Sequence, residues 1–330
     1  MPANTDRNLK LHLCACIAGA LFAAQPAPAD IGKFPERPLR MIVPLAPGGG
    51  SDIVARMVAA PLSDRWGQPV VVDNRPGAGS TVGTGLAAKA APDGYTVMVS
   101  SSSMAISPAL HPKLDFDMRR DFAPVTLLAS QPSVLAVHPS VKAQNVRELV
   151  ALAKAQPGKL AYGSAGVGSA THLGSELFRV NAQLDLLHVP YKSAGLATAA
   201  AISGEVQILL TNMASALPQV KAGRLRGLGV TSSKRSSLAS AMPTVAEAGV
   251  PGFEYATWYG MVVPAATPAA LVAQLHAGTL AVLNTPAMRE RMQGQGLEIH
   301  GTSRQEFGKY LSAELSRWQQ VVKAAGIEPQ

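Results

Sequence analysis

Short β-branched runs alternate with segments whose apolar residues recur every three to four positions, from residue 38 to the C-terminus. "RMIVPL" predicts a strand, followed by a helix from about Asp52 towards Trp66 that Pro61 bends. "PVVVDN" (Pro69 to Asn74) predicts a second strand, "GTGLAAKAA" a helix, and "YTVMVSS" (Tyr95 to Ser101) a third strand. Strands separated by helices of about 10–15 residues imply right-handed βαβ units and a parallel sheet. Regularity lapses beyond Ser103, around Pro108, Pro112 and Pro124. "VTLLAS" and "PSVLAVHP" then predict two strands close together, where a chain would cross from one lobe to another.

A second alternation follows. "NVRELVALAKAQPG" predicts a helix capped by Asn145 and ended at Gly158. "KLAYGSAG" predicts a strand, and "SATHLGSELFRVNA" a helix that Ser169 caps. "DLLHVPY", "VQILLTN" and "RLRGLGVTS" add strands, and the aromatic-rich "FEYATWYGMVVPA" predicts an extended return crossing. Two helices close the chain, at "PAALVAQLHAGTLAVL" and "SRQEFGKYLSAELSRWQQVVKAAG". In the second, Phe307, Leu311, Leu315, Trp318 and Val322 form one stripe that predicts packing on a sheet. The pattern defines two α/β lobes, each opening with a strand that runs through a glycine-rich loop into a helix.

In open α/β sheets ligands sit beyond the carboxyl ends of the strands, which places both glycine loops at a ligand edge. In "APGGGSD" the bare backbone and the helix start offer N–H donors to an anion. The lysine of a phosphate loop is missing, as is the last glycine of a dinucleotide fingerprint. A carboxylate therefore suits this loop better than a pyrophosphate; a plain tight turn capped by Ser51 is the competing reading. Asp52, an acid beside an anion site, either latches the loop by accepting N–H bonds or meets an amine or hydroxyl of the ligand. The second loop, "YGSAGVGSATH" (Tyr162 to His172), adds the hydroxyls of Ser164, Ser169 and Thr171 to the backbone bared at Gly166 and Gly168. The serines of "SSSSMA" emerge at the same edge.

Composition narrows the function. The chain has 330 residues, 47% of them hydrophobic, enough for a substantial core. Arg7 and Lys10, the apolar run Leu11 to Ala24 and "APA" before Asp30 predict a signal peptide cleaved after Ala29 and export to the periplasm; acylation at Cys16 is the weaker alternative. Both cysteines, Cys14 and Cys16, lie in that segment, so the mature chain offers no disulfide and no thiol chemistry. The net charge of +8 is spread singly, without a basic tract interleaved with aromatics, which disfavours nucleic acid as a partner. Seven histidines occur without a paired metal-ligand spacing, and "GSAG" lacks the spacing of a nucleophile elbow. No metal, cofactor or catalytic residue is expected. His172, near a helix start, reads as a capping or supporting residue, and Lys192 as a solvated loop lysine.

The motifs "APGGGSD", "VVVDNRPGAGSTVG", "APDGYTVMVSSSS", "DFAPVTLLA", "YGSAGVGSATHL", "HVPYKS", "LPQVKAGRLRGLGVTSSKR", "MPTVAEAGVPGFE" and "WYGMVVPAATP" occur in this order. Together they resemble the Bug family, the extracytoplasmic solute receptors of tripartite tricarboxylate transporters. The resemblance implies a two-lobe, type II periplasmic-binding-protein fold, each lobe a mainly parallel sheet flanked by helices. It implies a first lobe of residues 30–130 plus 251–330, a second of residues 131–250, and a ligand cleft between them. A small carboxylate-bearing solute (an organic acid, dicarboxylate or acidic amino acid) would be bound by lobe closure and passed by a monomeric receptor to a membrane permease. The site carried over comprises Pro47, Gly48, Gly49, Ser51 and Asp52 in lobe one, Ser102 at the edge, and Ser164, Gly166, Gly168, Ser169 and Thr171 in lobe two. Ser193 stands where the family commonly has glycine. Gln207 and Thr211 stand where it commonly has acids, which bears on the distal group the site accepts. A periplasmic enzyme on carboxylated substrates, with a serine nucleophile, and a ligand sensor for a signalling partner are the competing readings.

Overall fold

The computed structural model describes residues 34–111 and 113–328; the expected signal segment, residues 1–29, lies outside the described residues. Along the chain run β1 (Leu39–Val43), α1 (Gly50–Trp66), β2 (Val70–Asn74), α2 (Thr81–Ala88), β3 (Thr96–Ser101) and α3 (Ser103–Leu110). Then come β4 (Phe122–Val137), α4 (Val146–Ala155), β5 (Ala161–Ser164), α5 (Ala170–Ala182), β6 (Leu187–Pro190), α6 (Ala194–Ser203), β7 (Ile208–Asn212), α7 (Met213–Lys221) and β8 (Arg226–Val230). The chain returns through β9 (Ala256–Pro264) to α8 (Ala269–Leu283), α9 (Pro286–Gly294), β10 (Glu298–Ile299) and α10 (Arg304–Ala325).

Two sheets share one long strand. In the first, the order is β2-β1-β3-β9-β4-β10, with β9 and β10 antiparallel to the rest. In the second, β4 lies between β8 and β7, both antiparallel to it, and β5 and β6 continue in parallel. Each sheet is thus mixed rather than mainly parallel as expected, parallel along β2-β1-β3 and β7-β5-β6 and antiparallel wherever β4 or β9 pairs, with helices covering the faces and strands such as β1 buried over nearly their whole length.

The expected pair of strands at "VTLLAS" and "PSVLAVHP" is a single 16-residue strand, β4. Pro124 and Pro132 suggest interruption, but each falls where a missing N–H does little damage. Pro124 borders a register shift against β9, and Pro132 is the last residue paired with β9 before Ser133 pairs with Asn212 of β7. The handover is clamped by Thr231. Its N–H donates to the Ser133 carbonyl (2.9 Å), its Oγ1 accepts from Ser133 N (2.8 Å), and its carbonyl accepts from Tyr255 N (2.7 Å). Both strands that cross between the sheets, β4 and the run into β9, are therefore fixed at one point.

The C-terminal helix follows from its stripe. Ser303 and Glu306 form a capping box, Gly326 ends the helix in the left-handed region, and Phe307, Leu311, Leu315, Trp318 and Val322 are all buried. This face packs on β4 as expected and also on α3 and α5, so one apolar core runs through both sheets. Three helices emerge where no regular element is expected: α3, α7 and α9. Each is short; α3 and α7 carry a proline in their interior (Pro108, Pro218), where tertiary packing outweighs propensity, whereas α9 opens on Pro286 behind the Thr285 cap, a favourable helix start.

Candidate functional site

The first glycine loop leaves β1 after Val43 and enters α1 at Gly50, two residues before the expected start. Gly48 has φ +80°, a left-handed conformation that a Cβ would strain. Gly49 is the N-cap residue and no side chain caps the helix, so its first N–H groups stay available; Ser51 does not act as the cap. Pro47, Gly48 and Gly49 are exposed, whereas Ser51 and Asp52 are buried, and Ser51 Oγ has no hydrogen-bond partner.

Asp52 adopts the latch arrangement. Its Oδ2 accepts from Gly48 N (2.9 Å), and Arg56 Nε lies 3.0 Å from Oδ1 and 3.1 Å from Oδ2. Burial raises its carboxyl pKa, but the hydrogen bonds from Arg56, Gly48 and Asn74 and the Arg56 charge outweigh it and hold the group below the usual carboxylate value. With its oxygens so engaged, Asp52 shapes the loop from beneath. Asp52→Asn is accordingly expected to lower affinity for amine-bearing and plain dicarboxylates together, with their ranking in thermal-shift titrations unchanged. A selective loss of aspartate relative to succinate would instead place Asp52 on the ligand amine.

The second loop is braced from within. Ser164 is buried, and its Oγ lies 2.6 Å from His188 Nε2 and accepts from Gly166 N (3.1 Å). Thr171 Oγ1 accepts from Ala165 N (2.9 Å) and lies 3.2 Å from Ser169 Oγ, which itself caps α5 by accepting from His172 N (3.2 Å). His172 supports the loop as expected, its Nδ1 accepting from Gly168 N at 3.1 Å. Behind it lies a stack of two buried rings and one half-buried, His188: His172 and His188 have ring centroids 4.2 Å apart, and His188 and Tyr162 4.9 Å. Tyr162 donates to Glu176 Oε1 (2.5 Å), and Glu176 pairs with Arg179. Sequence reasoning sees none of this cluster beyond His172, because its members alternate with apolar residues in ordinary strand and helix patterns.

Between the two loops lies a cavity of about 370 Å³. Leu45 comes from the first loop, Ser101, Ser102 and Ser103 from the end of β3, Ile106 and Leu110 from α3, and Val167, Gly168 and Ser169 from the second loop. Of the expected site residues, Ser102, Gly168 and Ser169 line this cavity. Gly166, Ser164 and Thr171 stand in the loop that shapes it, and the Pro47–Asp52 segment follows directly on Leu45. The starts of α3 and α5 point their partial positive ends at this space. No Asp, Glu, Lys or Arg lines it among the described residues; His111 is its one titratable side chain there. Such a cavity suits an anion held by neutral donors. Gln207 and Thr211 lie away from it: Gln207 Oε1 accepts from Ala161 N (3.0 Å), tying β5 to the approach to β7, and Thr211 is fully buried within β7. Lys192 is exposed.

Two α/β lobes joined by crossing strands, with helix starts around an intervening cavity, define a periplasmic-binding-protein fold of type II. A sequence model for the tripartite tricarboxylate transporter family receptor matches residues 54–327, and the chain belongs to that family, whose members are periplasmic solute receptors rather than enzymes. Protein BugT of Bordetella pertussis is 37% identical over 305 residues, covering 92% of this chain and 93% of its own. The structure of R. palustris Rpa4515 with adipate is 34% identical, with a TM-score of 0.75 over 90% of this chain and 100% of that one. MatC from Rhodopseudomonas palustris, with bound malate, is 30% identical, with a TM-score of 0.72 over 88% of this chain and 100% of that one. Among the described residues no helix is long and apolar enough to cross a membrane.

Proposed function

We propose that this protein captures a small organic acid in the periplasm, holding its carboxylate between the two glycine loops, and hands it to a tripartite tricarboxylate-type permease. The observation that carries this reading is the cavity itself, polar at the helix starts and free of charged side chains among the described residues. A carboxylate there is held by backbone N–H groups and serine hydroxyls, which are preorganised by the Asp52 latch and the His172 brace. The site comprises the Pro47–Asp52 loop, Ser102, and the loop from Ser164 to Thr171. Carboxylates in two related structures, adipate and malate, agree with this class of ligand.

The test is a thermal-shift screen of protein that has been denatured and refolded to strip any co-purified acid. An acid present at 100 times its Kd stabilises by about 2.7 kcal/mol, so the Tm is expected to rise by roughly 5 °C or more with adipate, malate, succinate, aspartate or a close relative. A flat response to the whole panel would overturn the receptor reading.

A further inference from the structure

Tyr259 lies on β9, paired with Ser101 of β3 on one side and Ala129 of β4 on the other, so it stands at the sheet end from which Ser101–Ser103 enter the cavity. Its side chain is buried, at 3% exposure. The phenol reaches the first residue of α1: a Cβ built on Gly50 would overlap Tyr259 Oη and lie 2.9 Å from its Cζ. The third glycine of "GGG" is thus explained by close approach, since a larger residue there would collide with this ring. The hydroxyl makes no hydrogen bond to another described residue and is not sealed from solvent, whereas Ser51 Oγ, on the next residue of α1, is fully buried without a partner.

Leaving a buried hydroxyl unpaired is costly, and folded proteins pair nearly all such groups. Here a buried, unpaired Ser51 hydroxyl in the first turn of α1 and the Tyr259 hydroxyl against Gly50 both lie at a helix start that no side chain caps. An acceptor seated there would serve both hydroxyls, and the uncapped N–H groups of α1 with their partial positive charge favour an anion in that place. We propose that Tyr259 is a ligand-contacting residue whose hydroxyl donates to a carboxylate oxygen seated on the N-terminus of α1, with Ser51 as its neighbour in that seat. The inference rests on the carboxylate-receptor reading and adds to it a specific donor from the strand that returns between the lobes. Burial pushes the phenol pKa up to about 12, so the group stays protonated and able to donate throughout the neutral range.

Tyr259→Phe isolates this role, because it removes one oxygen and keeps the ring. A hydroxyl bonded within the protein would be missed by the empty protein; a hydroxyl reserved for ligand would not. The thermal unfolding of ligand-free Tyr259→Phe is expected at or above the wild-type Tm. Its Kd for whichever of adipate, malate, succinate or aspartate binds wild type, measured by isothermal titration calorimetry, is expected to be weaker by roughly 10- to 100-fold, the loss of one hydrogen bond to a charged group. An unchanged Kd, or a ligand-free Tm lowered by several degrees, would overturn the assignment while leaving the receptor reading intact. A wild-type protein that binds none of the four acids would overturn both.

Discussion

Glu314→Ala is expected to destabilise the protein by about 3–5 kcal/mol, lowering the Tm by roughly 10 °C in thermal unfolding. The side chain is 4% exposed and serves two fully buried indoles: its Oε2 accepts from Trp258 Nε1 (2.9 Å) and Trp318 Nε1 (3.0 Å). Its Oε1 accepts from Arg317 Nη1 (2.9 Å), and Arg317 also donates to the Glu254 carbonyl. Removing the carboxylate strands two N–H groups where water does not reach and leaves Arg317 without its counter-charge. Glu314→Gln retains one acceptor oxygen and is expected to lose about half as much. Equal losses below about 1 kcal/mol in both variants would show that the network is dispensable. The position matters beyond stability. Trp258 precedes Tyr259 on β9, and Trp318 belongs to the helix that packs on both α3 and α5. Glu314 therefore holds the return strand against α10 at the level where Tyr259 reaches the first glycine loop.

Glu314 also shows where sequence stops being informative. The stripe Phe307, Leu311, Leu315, Trp318 and Val322 is legible because helical periodicity alone puts those residues on one face. An acid inside that stripe reads as a solvated neighbour until Trp258, 56 residues away in the chain, is found beside it. The same division runs through the fold. Strands β1, β3, β5 and β7 are legible as short strand-like runs, two of them, β3 and β5, ending at serine. The helix α3 is not, because Pro108 and a serine-rich start signal a loop, while its stability comes from burying Met104, Ala105, Ile106 and Leu110 against the core. The long strand β4 is obscured by two prolines whose harmlessness depends on which neighbour they face. At the site, the glycine loops announce themselves locally. Tyr259 does not, since "TWYGMVV" is an ordinary aromatic strand until its hydroxyl is found above Gly50.

Acid is expected to loosen the second loop, and the sign follows from its two histidines. Burial, then the neighbouring His188, and to a lesser degree Arg179 lower the His172 pKa to about 4, against an opposing pull from Glu176; burial likewise lowers that of His188. Unfolded, a histidine titrates near 6.5. Above that value His172 is neutral in both states and costs nothing. As the pH falls from about 6.5 to about 4 the unfolded chain takes up a proton that the folded protein refuses, so stability declines across that window, by about 3 kcal/mol for His172 alone. Below about 4 the folded protein protonates as well, and the geometry then shows what breaks. Nδ1 is the acceptor for Gly168 N–H, and a protonated Nδ1 would repel that donor. The Tm is therefore expected to fall steadily from pH 7 to pH 4, with the carboxylate-induced shift shrinking alongside it. His172→Asn separates this from general acid unfolding: its amide oxygen replaces Nδ1 as acceptor without titrating. That variant is expected to show a visibly flatter pH profile than wild type, and an identical slope would exclude His172 as the titrating group. A flatter profile in that variant would show that the ordering of the second glycine loop depends on a neutral imidazole with an unprotonated Nδ1 rather than on any charge.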